Sequence, residues 1–227
     1  MNQYPGDGIA SRTTTDLVFD QLHQDIVTLK ILPNSKISEA EVANRLGVSR
    51  QPVRDAFNRL GNLDLLRIRP QRPTIVRGFS LDRIQNARFV RLAVEMEVTR
   101  HAVTVWNDTC ADALEANLEL QRAAINGSRI GEFHDLDYHF HRLICELSGH
   151  SLAFETVRVC KQQIDRLCVL SLARAEEVTA VLADHEEIAR CLRNGLETAV
   201  LSRARRHLSR LDNAIKEIHQ THSEYFE

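Results

Sequence analysis

The chain has 227 residues, 43% of them hydrophobic and 26% charged, with a formal net charge of −2. That is the balance of a soluble globular protein, and no run approaches eighteen consecutive apolar residues, which excludes a membrane-spanning helix. The five cysteines (Cys110, Cys145, Cys160, Cys168 and Cys191) never form a C-x-x-C pair. With no apolar export segment in MNQYPGDGIASRTTTD, they read as reduced thiols of a cytoplasmic protein, packed as small core residues.

Residues 1–13 are polar and read as a disordered arm. Residues 15–30 then follow a helical period, with Leu17, Val18, Leu22, Ile26 and Leu29 on one side. After a turn at LPNSK comes SEAEVANRLGVSRQPVRDAFNRL, which has the organisation of a helix-turn-helix. Val42, Ala43 and Leu46 give a first helix its apolar face, and Gly47 supplies the left-handed residue that ends it. Val48 is the expected buried turn position. Ser49 caps a second helix whose Val53, Phe57 and Leu60 repeat at i, i+4, i+7, with Pro52 in the first turn, where a missing N–H costs little. This spacing leaves Arg50, Gln51 and Arg54 on the outward N-terminal side. Arginine can pair bidentately with guanine and glutamine with adenine, whereas Arg45, Arg69 and Arg72 are better placed for phosphates. The segments LLRIR and TIVRGF, joined by PQRP, read as a two-stranded wing. Residues 45–77 hold eight arginines against Asp55 and Asp64, a cationic patch on a near-neutral chain.

All five prolines lie at or before Pro73. The tract from residue 79 to 222 has helical periodicity throughout and reads as an all-α domain, with 223–227 as a tail. Helices are expected near 81–106, 109–125, 130–148, 151–173, 176–194 and 196–221. Ser80 caps the first, Asp108 or Thr109 caps the second, and Gly127, Gly131, Gly149 and Gly195 mark helix ends. In DLDYHFHRL, Asp137 and His141 are i, i+4 neighbours beside the apolar stripe Leu136, Phe140, Leu143, Ile144 and Leu147. His185 lies in the middle of the apolar face of EEVTAVLADHEEIARCL, and His207 lies on that of the last helix. Each histidine alone is as well explained as a satisfied core residue. Together, three imidazoles and a carboxylate form a donor set suited to Zn²⁺, Ni²⁺, Mn²⁺ or Fe²⁺, with coordination positions left open.

The run LGVSRxPVRxAxxxL, followed by RPQRPTIV, resembles the winged helix-turn-helix of GntR-type bacterial transcription regulators. The helical remainder resembles the FCD effector domain of their FadR-type branch. The resemblance covers about residues 14–222 and implies a mainly α protein: a winged head at 14–78 and an FCD-type bundle of six to seven helices at 79–222. Three positions depart from the family pattern: Asn34 after Pro33 in place of glycine, Ala40 in Ser38-Glu39-Ala40 in place of arginine, and Pro73 in place of the wing glycine.

The resemblance also implies a site. Many FCD domains hold a divalent metal through an Asp and His four apart, a His in the penultimate helix and a His in the last. Asp137, His141, His185 and His207 match those positions, with zinc the first expectation. The acyl-CoA-binding branch lacks this set, so the implied effector is a small organic acid, with Arg91 of the R-x-x-x-E pattern binding its carboxylate. The alternative for Arg91 is an i, i+4 ion pair with Glu95. His150 stands where the family has Asn, so that helix end offers a further imidazole. His101, His134, His139, His219 and His222 read as solvated or border residues. The functional expectation is a ligand-responsive regulator binding a palindromic operator in double-stranded DNA as a homodimer, with no membrane partner and no catalytic residues. A metal-dependent hydrolase is the competing reading. Against it stand the absence of H-E-x-x-H and G-x-S-x-G from the sequence, and the position of Glu186, about 100° around the helix from His185. A purely architectural DNA-binding protein would leave the inward histidines without a purpose.

Overall fold

The computed structural model describes residues 12–171 and 175–227. Most of the expected arm at 1–13 therefore lies outside the described residues. The chain divides into two compact units, one running up to Phe79 and including Glu227, the other spanning Ser80–Phe226.

In the first unit, α1 (Thr14–Val27) begins at a reciprocal cap. The Thr13 hydroxyl accepts from Asp16 N, and the Asp16 carboxylate accepts from Thr13 N, both at 3.1 Å. Val18, Leu22 and Ile26 are buried, but Leu17, expected on the same face, is 53% exposed because it sits about 100° around the helix from Val18. The helix also stops three residues early, and Leu29 takes φ +60° beyond its end. Next come α2 (Glu39–Leu46) and α3 (Arg50–Asn62), joined through Gly47 at φ +66°, a left-handed conformation that glycine adopts without a Cβ penalty. Val53, Ala56, Phe57 and Leu60 of α3 meet Val18, Leu22 and Val42 in one core. Each fully buried Val, Leu or Phe among them contributes about 1.5–3 kcal/mol. Val48 is only half-buried against this core.

The wing has one strand more than expected. β2 (Leu66–Arg67) and β3 (Thr74–Val76) pair antiparallel, and β1 (Lys36–Ile37) adds to the other edge of β3 with Ile37 opposite Thr74, giving the order β1-β3-β2. Two residues of β propensity were too short a run to stand out from the LPNSK turn. Asn34 in that turn takes φ +66°, so it supplies the left-handed geometry in place of glycine.

The second unit is a bundle of α4 (Leu81–Val105), α5 (Asp108–Asn126), α6 (Ile130–Leu147), α7 (Ser151–Ser171), α8 (Ala175–Arg193), α9 (Glu197–Leu208) and α10 (Leu211–Thr221). A short 3₁₀ turn follows at Ser223–Tyr225, where a tail was expected. Ser80 caps α4, whereas α5 is capped by Asn107 rather than Asp108 or Thr109. The turn after α5 takes its left-handed residue at Ser128, while Gly127 has φ −87° and Gly131 lies inside α6. The single last helix expected at 196–221 is two. Between them the chain tightens to i, i+3 hydrogen bonds (Arg210 N to His207 O and Asp212 N to Ser209 O, both 3.1 Å), which re-phases the faces of α9 and α10.

The core joins Leu114 and Leu118 of α5, Phe133 and Phe140 of α6, Ile188 of α8 and Val200 of α9. Helix α4 packs on α6, α7 and α9; α5 packs on α6 and α8; α8 packs on α9. Residues on the inner faces of α4, α6, α8 and α9 are thereby brought together from positions far apart in sequence.

Candidate functional site

The inner face of α6 runs through Phe133, Asp137, Phe140, His141, Ile144 and Cys145, all buried. Asp137 and His141 therefore lie at the centre of the buried stripe rather than at its edge. From α8, His185 enters fully buried, stacked against Phe140 with ring centroids 3.9 Å apart. From the last turn of α9 comes His207. One donor atom from each of Asp137, His141, His185 and His207 lies within 4.8 Å of the other three. The separations include 3.5 Å from Asp137 Oδ1 to His185 Nε2, 3.7 Å from Asp137 Oδ1 to His141 Nε2, and 3.2 Å between the Nε2 atoms of His141 and His207.

An outer ring of partners decides which atom each residue presents. Lys161 of α7, itself buried, holds Asp137 Oδ2 and leaves Oδ1 facing the cluster. Glu95 Oε2 lies 2.5 Å from His141 Nδ1. A carboxylate only accepts, so Nδ1 carries the proton and Nε2 keeps its lone pair. The His185 tautomer follows from a longer chain. Leu136 O accepts from Asn117 Nδ2 at 3.2 Å, Asn117 Oδ1 accepts from Gln121 Nε2 at 2.6 Å, and Gln121 Oε1 must then accept from His185 Nδ1 at 2.9 Å. His185 Nε2 is left buried without a hydrogen-bond partner among the described residues. A buried polar atom in that state costs free energy unless something meets it.

Protonation follows the same pattern. Burial holds the His185 imidazole well below its usual range, and the neighbouring His207 adds to the effect. Burial likewise lowers His207, although Asp184 opposes it. Burial alone would raise Asp137, but Lys161 and the adjacent imidazoles hold its carboxyl well below the ordinary value. Neutral imidazoles and an ionised carboxylate are the states in which these groups ligate a metal. The donor set therefore fits a divalent cation of the Zn²⁺ type.

A cavity of about 80 Å³ opens beside the cluster, lined among others by Arg91, Asp137, Lys161, Asp165, His207 and Arg210. Arg91 forms the i, i+4 ion pair with Glu95, Nε to Oε1 at 2.5 Å, and its Nη2 lies 3.1 Å from His141 Nε2. It thus takes the alternative geometry while still lining the cavity. His150 does not reach the cluster: its Nε2 lies 3.1 Å from His101 Nδ1, so these two form a separate pair. His139 is exposed, 3.3 Å from Asn117 Nδ2, and Glu186 is bound by Arg122 at 2.8 Å.

In the first unit, Arg50, Gln51 and Arg54 are exposed along the start of α3, and Arg69 and Arg72 are exposed beyond β2. Ser49 occupies the N-cap position, but its hydroxyl makes no capping hydrogen bond. Three of the side chains have intramolecular partners: Gln51 donates to Asp55 at 3.0 Å, Arg54 pairs with Glu39 at 3.2 Å, and Arg45 pairs with the buried Asp25 at 3.2 Å. A phosphate must compete with Asp25 for Arg45.

Lys161, Gln121, Asn117 and Asp184 were not picked out from the sequence. The available signal was a polar residue at a core position of the helical period: Asn117 and Gln121 alternate with Leu114, Leu118 and Ala124, and Lys161 falls between Val157 and Ile164.

Residues 14–76 match the family described as bacterial regulatory proteins, gntR family, and residues 87–210 match the FCD domain. The chain is 34% identical over 209 residues to the HTH-type transcriptional repressor RspR of Escherichia coli K12, covering 92% of each. It is 26% identical to the gluconate operon transcriptional repressor of Bacillus subtilis, covering 81% of this chain and 77% of that one. The solved structure of E. coli McbR/YncC superposes with a TM-score of 0.71 at 16% identity, over 92% of this chain and 99% of that one.

Proposed function

The chain belongs to the gntR family of bacterial transcription regulators and carries an FCD domain, and from that premise we propose that a small organic acid, bound beside a divalent metal in the helical bundle, sets its affinity for DNA. The observation that carries this reading is the convergence of Asp137 Oδ1 with three buried, inward imidazoles, all within 4.8 Å. Asp137, His141, His185 and His207 would hold the metal, and zinc suits this set, with nickel, manganese or iron as alternatives. When bound, the metal supplies a Lewis-acidic point of attachment for a carboxylate oxygen.

This chain's own residues do the rest. Arg91, paired with Glu95, and Lys161, paired with Asp137, line the cavity beside the metal site, and Arg91's planar fork suits a carboxylate. A cavity of about 80 Å³ has room for roughly five to eight water-sized groups, which fits a short acid and not a long acyl chain. The family and its named relatives are regulators, not enzymes.

In the winged head, Arg50, Gln51 and Arg54 would read base edges, while Ser49, Arg45, Arg69 and Arg72 would contact phosphates. We place two copies on an imperfect palindrome, in the cytoplasm where the DNA is. Exposed apolar side chains on α4 (Phe89, Val90) and α7 (Leu152, Val159) support a self-association face. No helix among the described residues is long and apolar enough to cross a membrane.

The test is a mobility-shift titration on the DNA upstream of the protein's own gene, run with zinc-loaded and chelator-treated protein against a panel of short organic acids. A shift in operator affinity by one acid, lost on chelation and in His207→Ala, supports the reading. Operator binding indifferent to every acid and to chelation rejects it.

A further inference from the structure

Three of the four candidate ligands have a closed outer contact, and the fourth does not. Lys161 holds Asp137, Glu95 holds His141 and Gln121 holds His185. His207 Nδ1 has no hydrogen-bond partner among the described residues. The nearest carboxylate oxygen is Asp184 Oδ2 at 3.7 Å, too far for a hydrogen bond. Asp184 is only 1% exposed and is occupied elsewhere: Arg206 Nη2 donates to Oδ1 at 2.7 Å, and Arg210 Nε donates to Oδ2. The oxygen that would orient His207 is the one Arg210 holds.

The tautomer of His207 depends on that competition. His141 keeps its proton on Nδ1 against Glu95, so its Nε2 presents a lone pair to His207 Nε2 at 3.2 Å. His207 Nδ1 has no acceptor within hydrogen-bond reach, so its proton sits on Nε2 against that lone pair, which Arg91 Nη2 also approaches at 3.1 Å, and Nε2 is the nitrogen that must be bare to ligate. Moving the proton to Nδ1 requires an acceptor there. Asp184 is the group in place to be one, and a carboxylate in that role raises ligand basicity and fixes the ring. Arg210, meanwhile, lines the cavity beside the cluster, at the tightened turn between α9 and α10.

We propose that Asp184 is the positioning residue for His207 and that Arg210 is the anion sensor which controls it. A short carboxylate in the cavity draws Arg210 off Asp184 Oδ2, Asp184 closes on His207 Nδ1–H, and His207 Nε2 becomes a competent ligand. Metal and anion affinity are thereby coupled, each raising the other by the same factor. This rests on the metal reading above and adds to it a named route between the two ligands.

The experiment is Zn²⁺ affinity by competition with a chromophoric chelator, using the full chain first without any organic ligand and then with acetate. Asp184→Asn weakens Zn²⁺ binding by about 10- to 100-fold, and Asp184→Glu recovers part of it. Arg210→Gln, which leaves Asp184 paired with Arg206, acts in the opposite direction and tightens Zn²⁺ by about tenfold. Acetate tightens Zn²⁺ binding to the wild type but not to Arg210→Gln. Nitrogen-15 spectra of the zinc-free protein place the His207 proton on Nε2 in the wild type and on Nδ1 in Arg210→Gln. A protein that binds Zn²⁺ with Arg210→Gln neutral or weaker overturns the coupling while leaving the metal site standing. A wild type that binds no Zn²⁺ overturns both. Should Asp184→Asn fail to fold, the Arg210→Gln result alone decides.

Discussion

Gln121 Oε1 lies 2.9 Å from His185 Nδ1, and this contact between α5 and α8 determines which imidazole nitrogen faces the candidate metal centre. The amide cannot flip without losing its bond to Asn117, whose own orientation is fixed by the carbonyl of Leu136. Gln121→Leu should therefore leave the helices intact yet lower divalent-metal affinity by about 10- to 100-fold, while Gln121→Glu, which still accepts, should lie near wild type. Competition with a chelator measures both; equal affinities for Gln121→Leu and wild type would remove Gln121 from the account.

In the winged head, Arg50 is exposed at the first position of α3 and makes no ion pair among the described residues. Arg50→Ala should cost about 1–3 kcal/mol of operator affinity and relax preference at one base position. Arg72→Ala should weaken binding to all sequences alike and reduce the slope of log affinity against log salt by about 0.9. Fluorescence anisotropy on operator and scrambled duplexes at several salt concentrations separates the two, and identical losses on both duplexes for Arg50→Ala would demote it to a phosphate contact.

Phe140 is fully buried and stacks on His185. Phe140→Ala should destabilise the bundle by about 3–5 kcal/mol in urea unfolding, because the surrounding helices refill the space only in part. Zinc should recover some of that loss if His185 still ligates, since a ligand bound to the folded state alone raises apparent stability. A loss under about 1 kcal/mol would mean that the site collapses freely around the missing ring.

Burial pushes the Asp165 carboxyl up to about 6, although Lys161 and the Tyr138 hydroxyl, donating at 2.6 Å, work against it. The folded chain thus holds this proton more tightly than the unfolded one, so Asp165 adds stability as pH falls through 6 toward its ordinary value near 3.8 and removes it as pH rises through 6. Asp165→Asn should raise the melting temperature more at about pH 7.5 than at about pH 5, since it mimics the protonated form. Equal shifts at the two values would place the titration elsewhere.

The parts that could be read from the sequence were those written in local spacing. Gly47 between two apolar helical faces, and Asp137 four residues before His141, each carry their geometry within one or two turns. His185 and His207 were visible as polar residues on apolar faces. The outer ring was not visible because its partners lie on other helices: Glu95 of α4 meets His141 of α6, and Lys161 of α7 meets Asp137. Neither pairing leaves a mark in the spacing of either helix. Asp184 was hidden differently. In ADHEE it looks like one more acid on a solvated face, yet Arg206 of α9 and Arg210 of the turn that follows both close on it, and it is buried. That tightened turn, like the two-residue β1, depends on tertiary packing rather than on a glycine or proline at the break.

The most direct measurement is the metal content of the purified, dialysed protein by elemental analysis, alongside His185→Ala and His207→Ala. One divalent ion per chain is expected in the wild type and little or none in either variant, with far-UV circular dichroism unchanged. A wild type that stays metal-free after equilibration with zinc, nickel, manganese and iron, or variants that retain a full equivalent, would contradict the metal reading.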